Sequence, residues 1–187
     1  MPQLSTSDSV GWFNHDSWSE TYLGARWLVE NELPEMHWQT LPHHGPLSQM
    51  VLIASHHLVE ITLFACIRTV LQSAPGRHPK HEKKLVNVRF KDAFTKWPAE
   101  LLSTGFDLSV EPYKSAAALQ KRRNDTIHKE SALTTLLMAR SALVSAVGAS
   151  RAISLHMLGK EGFKYEAVLR KYPLDPQPWF SDVPFPQ

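Results

Sequence analysis

The sequence predicts an all-α protein, and three observations carry that prediction. Apolar residues recur at helical spacing through several long segments. Capping residues, prolines and glycines stand where those segments should start and stop. No segment alternates apolar and polar residues with turn chemistry at its ends, as a strand would, and no internal repeat is visible.

Residues 1–15 read as an irregular N-terminal arm. Ser17-Trp18-Ser19-Glu20 has the form of a capping box, with Ser17 accepting from the Glu20 amide and Glu20 reaching back. The helix it opens should run to about Glu32, just ahead of Pro34, with Tyr22, Ala25, Leu28 and Val29 on its apolar side. Residues 34–46 hold three prolines and three histidines and read as a loop. Pro46 suits a first helical position. From Leu47 to Gln72 the residues Met50, Val51, Ala54, Leu58, Ile61, Ala65 and Leu71 keep the helical period, and Ser73-Ala74-Pro75-Gly76 ends it.

After a basic connection at 77–81, Leu85, Val88, Phe90 and Phe94 suggest another helix, ending near Trp97-Pro98. A long helix should start near Pro112 and carry Ala116, Ala117, Ala118 and Leu119 into a basic segment. Ser131 is a candidate N-cap for the last long helix, through Leu133, Leu143 and Ile153 to Leu158, with Gly159 past its end. A short helix should follow to Lys171. Residues 172–187 contain five prolines with Trp179, Phe180 and Phe185, which predicts an extended segment lying on its own domain or on a neighbour. The organisation expected is an arm at 1–15, a bundle of four to six helices at 16–171 and an extended Pro-rich tail at 172–187.

With 187 residues, 43% apolar and 20% charged, the chain can bury a core, and its composition argues against global disorder. The net charge of +2 does not by itself announce a nucleic-acid binder, but its distribution is uneven. Residues 1–40 carry six acids and one base. Residues 77–96 carry seven bases and two acids, and residues 114–129 carry five bases and one acid. The two basic stretches suit either a phosphate-binding groove or a solvated helix face. Cys66, the one cysteine, sits in an apolar helical run and excludes an intrachain disulfide. Met1 to Val10 lack the pattern of a secretory signal, and Ala132–Leu158 is interrupted by Arg140, Arg151 and several serines, so the expectation is no membrane and a cytoplasmic location.

The chemistry concentrates in Gln120-Lys121-Arg122-Arg123-Asn124-Asp125-Thr126-Ile127-His128. For RNA, the substrate that this segment's family resemblance implies, the nucleophile is its own 2′-hydroxyl. Cleavage needs that proton removed, charge on the phosphate stabilised and the leaving 5′-oxygen protonated. His128 suits acid or base work because imidazole titrates near neutral pH. Arg123 is permanently charged, and its planar fork matches phosphate oxygens. Neither a metal nor another cofactor is needed. Residues five apart on an ideal helix diverge by about 140°, so Arg123 and His128 do not share a face, whereas Asn124 and His128, at i and i+4, do. Asn124 is therefore placed to orient the imidazole. The other reading is that Arg-Asn and His at a helix end serve capping and the helix dipole.

Arg123-Asn124-Asp125-Thr126-Ile127-His128 resembles the signature of the HEPN superfamily: Arg, a polar residue, a short spacer, then His. The context is similar too, an Ala/Leu-rich helix before and a long apolar helix after. Upstream, Glu60 within His57-Leu58-Val59-Glu60-Ile61-Thr62-Leu63 resembles the acidic residue in an apolar helix often seen early in these domains. The resemblance covers roughly residues 45–160 as a helical pattern. It implies a HEPN-like bundle acting as a metal-independent endoribonuclease, a toxin or anti-phage effector. Arg123 and His128 would be catalytic, and Asn124, Asp125 and Glu60 supporting. It further implies a symmetric homodimer with a composite site, and an antitoxin or regulatory partner protein. Lys121, Arg122, Lys83 and Lys84 are the candidate RNA contacts. The alternative expectation is a non-catalytic module of this type that binds a nucleotide or a partner protein, or a bare structural bundle.

Other constellations are thinner. His56 and Glu60 are spaced like a metal pair on one helix, but no second such pair exists to complete a bundle site. His78-Pro79-Lys80-His81 lacks the further ligands a zinc site needs. There is no glycine-rich phosphate loop, nucleophile elbow or zinc-protease motif. The tryptophans at 12, 18, 27 and 38 suit core and interface anchoring better than base stacking.

Overall fold

The structure is a computed structural model and describes residues 16–31, 46–128, 134–159 and 162–184; the side chains of Pro46 and His128 are outside that description. The expected arm at 1–15, most of the 34–46 loop, Trp12, Trp38, Lys129, Ser131 and Leu133 lie outside the described residues. Among the described residues the chain is helical and holds no strand. Four long helices form the bundle: α1 (Ser17–Glu30), α2 (Pro46–Ser73), α6 (Tyr113–His128) and α7 (Leu136–Leu158). Four six-residue helices complete it: α3 (Pro79–Lys84), α4 (Phe90–Thr95), α5 (Trp97–Leu102) and α8 (Glu166–Lys171). A 3-10 turn at Phe180–Asp182 lies in the tail. The described residues hold eight α-helices against the four to six expected, and the short α3 and α5 are the ones that periodicity does not reveal.

The centre of the bundle is the pair α2 and α7, and α1 and α6 pack against both. Small residues explain the pairing. Ala139, Ala142, Ala146, Ala149 and Ser150 are buried along α7, so its backbone comes close to α2, which supplies Leu52, Leu58, Val59, Leu63 and Ile67. Because α2 is covered on several sides, its buried residues wrap around it instead of forming the one stripe expected. Met50, placed on that stripe by its spacing, is 55% exposed. Both helices are long and apolar enough to cross a membrane by length and composition, with the most apolar windows at mean hydropathy 1.8 and 1.3. More than half of each window is buried inside the bundle, which is what their apolar surface does here.

Several boundaries differ from the expected ones. Asp16, not Ser17, caps α1: its carboxylate accepts from the Ser19 amide at 3.4 Å and the Ser19 hydroxyl at 2.6 Å. A shorter acidic side chain one residue earlier does the job the box was expected to do. The cap of α7 is Thr135, which accepts from the Met138 amide at 3.1 Å, so the helix begins at Leu136 and not after Ser131. Of the helix expected through Leu85, Val88, Phe90 and Phe94 only the part from Phe90 is helical, as α4; residues 85–89 are non-helical, with the Asn87 amide bonded to the Lys84 carbonyl, and α3 occupies part of the 77–81 stretch expected as a connection. Trp97-Pro98 starts α5 instead of ending a helix, because a proline in the first turn has no amide hydrogen to leave unpaired. Gly76 and Gly159 follow α2 and α7 at φ 77° and 80°, the backbone that glycine adopts freely.

Two aromatic clusters fasten the ends. Trp18, fully buried, stacks on Tyr22 at 5.5 Å and on Tyr165 at 4.3 Å and meets Phe163 edge-on, tying α1 to the segment before α8. Phe90, Phe94, Phe106 and Tyr113 form a second series that joins α4 to the start of α6. Trp27, by contrast, is 62% exposed.

The tail lies on its own domain. The Tyr22 hydroxyl donates to the Tyr172 carbonyl, and Arg26 Nε donates to the Pro173 carbonyl at 2.9 Å. Farther on, Phe180 is fully buried and its amide donates to Ser145 Oγ of α7 at 2.9 Å. The Ser181 amide donates to Ser115 Oγ of α6 at 3.1 Å, and its hydroxyl donates to Glu111. Trp179 crosses α7 at Gly148, where a Cβ would meet the indole at 3.0 Å. The tail is thus a strap from α1 across α7 to α6.

Candidate functional site

The motif occupies the last turns of α6, a helix that the sequence makes in two parts. Its first part is Ala-rich and buries Ser115, Ala116 and Leu119; Glu111 accepts from the Ser115 amide at 3.1 Å and so satisfies one of its free amides. Its second part is basic and polar, with no apolar stripe wide enough to be buried. Lys121 and Asn124 are exposed, and Arg122, Arg123, Asp125 and Thr126 are half-buried. His128 is the last helical residue, and its side chain lies outside the described set.

Within this segment Arg123 Nη1 donates to Asn124 Oδ1 at 3.2 Å. The expected pairing of Asn124 with His128 involves a side chain outside the description, so the contact seen for Asn124 is to the guanidinium. Burial pulls the Arg122 pKa down, opposed by the Asp125 carboxylate.

The structure adds a residue that spacing had suggested only as half of a metal pair. His56 on α2 is 4% exposed, and among the described residues its Nε2 has no hydrogen-bond partner. Its ring meets Phe90 of α4 edge-on at 4.6 Å. The pKa of His56 is lowered to about 4, first by burial, with Arg123 and His57 adding to the effect and Glu60 opposing it. His56 is therefore neutral at physiological pH, and it feels both Arg123 of the motif and Glu60. Glu60 is half-buried and lies 3.6 Å from His57 Nδ1. No sequence signal separates His56 from an ordinary core histidine, because the packing of α4 is what buries it.

The basic residues fall on two elements. Lys83 and Lys84 are exposed at the end of α3, while Lys121 and Arg122 belong to α6. The His56 neighbourhood links their regions, since Phe90 comes from the first basic stretch and Arg123 from the second. Cys66 is buried, with its thiol 3.7 Å from Ser154 Oγ and its pKa pushed up by burial. Among the described residues no three His, Cys, Asp or Glu side chains cluster as a metal site would require. Comparison of the chain with family models, with curated proteins and with solved structures finds no match.

Proposed function

We propose that this chain is a HEPN-type endoribonuclease that cleaves RNA by attack of the 2′-hydroxyl on the adjacent phosphate. The observation that carries the reading is the character of the motif end of α6: a charged, incompletely buried segment on an otherwise well-packed helix. Arg122, Arg123 and Asp125 are half-buried together there, with Asp125 offsetting the burial of Arg122 and Arg123 donating to Asn124, so charged groups are held in place at the edge of the core where a phosphate could meet them.

In the proposed reaction the 2′-oxygen forms a bond to phosphorus and the bond to the 5′-oxygen breaks. His128 of one chain takes the 2′ proton, and His128 of a second chain supplies the proton to the leaving oxygen. Arg123 balances the charge on the non-bridging phosphate oxygens. The roughly 140° between positions 123 and 128 on one helix favours a two-fold dimer, where the residues of two chains converge on one groove. The role would be that of a cytoplasmic toxin or anti-phage effector held in check by a partner protein.

The test is incubation of the purified protein with RNA in excess chelator. Fragments ending in 2′,3′-cyclic phosphate and 5′-hydroxyl are expected. Arg123→Ala and His128→Ala should each lower the rate by at least about a hundred-fold, the scale of a lost acid–base group, without changing helix content. Mixing His128→Ala chains with wild type should reduce activity beyond dilution. Products with a 5′-phosphate would sink the mechanism. RNA that is bound but never cut by a folded dimer would favour the binding-module reading.

A further inference from the structure

An open groove of about 580 Å³ lies between α3, α4 and α5, with Lys84, Arg89, Asp92, Lys96, Trp97 and Glu100 among its walls. That volume is in the range that ligand sites take. The acids on these walls are already engaged. Asp92 Oδ1 is 2.7 Å from Lys96 Nζ, and Glu100 Oε2 is 2.6 Å from His81 Nε2. The side chains of Lys84 and Arg89 form no ion pair or hydrogen bond among the described residues, although Arg89 is within electrostatic reach of Asp92. Lys84 and Arg89 together with Lys96 outnumber Asp92 and Glu100 on the walls, so the groove is net positive and favours an anionic ligand. Arg89 is also well placed: the next residue, Phe90, is buried against His56 and fixes the backbone from which Arg89 projects.

The walls argue for a polymer backbone over a single base. Trp97 is 5% exposed, so it offers no free face on which a base could stack. Exposed Lys80, Lys83 and Lys91 continue the positive charge beyond the groove, which a linear polyanion could follow. The same α4 is seated, through Phe90, on the histidine that feels Arg123.

We infer that this groove binds the phosphodiester backbone of single-stranded RNA through Lys84 and Arg89, outside the 123–128 segment. The inference rests on the reading that RNA is the substrate, but it is testable without cleavage. The measurement is fluorescence anisotropy of a labelled ten-residue oligoribonucleotide across a salt series, with Arg123→Ala protein so that the RNA stays intact. Adding Lys84→Ala and Arg89→Ala should weaken binding about ten-fold at 0.1 M salt. The slope of log affinity against log salt should become shallower by about 1.4, two phosphates at roughly 0.7 each for a single strand. Oligonucleotides of different sequence should respond alike. Arg170→Ala with Lys171→Ala, on α8, should leave the slope unchanged. The single Lys84→Gln variant, read by the same slope, serves if the double variant loses helix content. An unchanged slope overturns the proposal. So does binding of adenosine monophosphate that depends on Lys84 and Arg89 while the oligonucleotide does not bind, which would make the groove a mononucleotide site. If wild type cuts no RNA yet the slope changes as expected, the catalytic reading fails and this one stands.

Discussion

Along α6, the first turns and the last turns differ in what surrounds them. Ser115, Ala116 and Leu119 are buried, and the tail closes over them with Phe180, Ser181 and the Lys114–Asp182 pair at 3.3 Å. From Lys121 on, no described residue of the helix is fully buried, and these tail contacts fall on its first turns. One continuous helix thus has an end committed to packing and an end left for polar contacts. The cause is compositional. Alanines and a leucine let α7 and the tail approach, whereas Lys121-Arg122-Arg123-Asn124-Asp125 would lose too much hydration if covered. Stability should therefore be sensitive at the first end and activity at the second.

The largest effect should come from the packed end. Phe180→Ala removes a fully buried ring seated between α6 and α7. A loss of about 3–5 kcal/mol is expected. In a chain of this size that corresponds to a fall in Tm of roughly 10 °C or more. Urea and thermal unfolding followed by circular dichroism would read it. A loss under about 1 kcal/mol would mean that the tail is an accessory to the fold and that the two ends of α6 do not differ in their commitment to packing.

A smaller, pH-dependent effect should arise behind the motif end, at His56. Its folded pKa, about 4, lies below the usual value of 6.5. Above pH 6.5 the imidazole is neutral whether folded or unfolded and contributes no pH dependence. As pH falls from 6.5 towards 4, the unfolded chain takes up a proton that the folded chain refuses, so stability is lost through that window. The shift of about 2.5 units sets a ceiling of roughly 3 kcal/mol. The groups that face His56 are Glu60 and His57 on its own helix, Arg123 on α6 and the Phe90 ring on α4. Relative to His56→Leu, wild type should lose about 2–3 kcal/mol between pH 7 and pH 4. Parallel stability profiles for the two proteins would show that His56 titrates normally.

The same contrast explains what could be read from the sequence. The long helices were legible because periodicity, Pro46, the Ser73–Gly76 break and Gly159 agree with one another. The caps at Asp16 and Thr135 were misplaced by a few residues because several Ser, Thr and Asp residues compete for each position and only the backbone geometry chooses. The single stripe on α2 was the wrong pattern, since a helix covered on several sides buries residues all round. Arg123 and Asn124 are singled out in the sequence by the spacing and chemistry of Arg123 to His128, and the structure adds that they lie on the incompletely buried last turns of α6. His56 is not singled out, because its burial depends on Phe90, a residue 34 positions away in the chain. The attachment of the tail was equally hidden, since prolines and aromatics specify an extended segment without specifying what it touches.

The smallest expected effect on stability is at Asn124, and it sharpens the comparison most. Asn124 is exposed on the last turns of α6, and its one described contact is the acceptance of a hydrogen bond from Arg123 Nη1 at 3.2 Å. Exposed hydrogen bonds contribute little, because water replaces them when they break. Alanine is also the better helix former, by a few tenths of a kcal/mol. The two terms nearly cancel, so Asn124→Ala should change stability by no more than about 0.5 kcal/mol. Activity should respond differently. The amide oxygen restrains the guanidinium, and without it Arg123 must be ordered anew for each phosphate it meets. A drop of about ten-fold in RNA cleavage, on the order of 1.4 kcal/mol, is expected with the melting curve unmoved. Phe180→Ala should show the reverse, a lowered Tm with the cleavage rate retained at temperatures where the chain stays folded. If Asn124→Ala instead lowers the Tm by more than a few degrees and cuts RNA at the wild-type rate, the last turns of α6 are part of the scaffold, and the site must be sought elsewhere on the bundle.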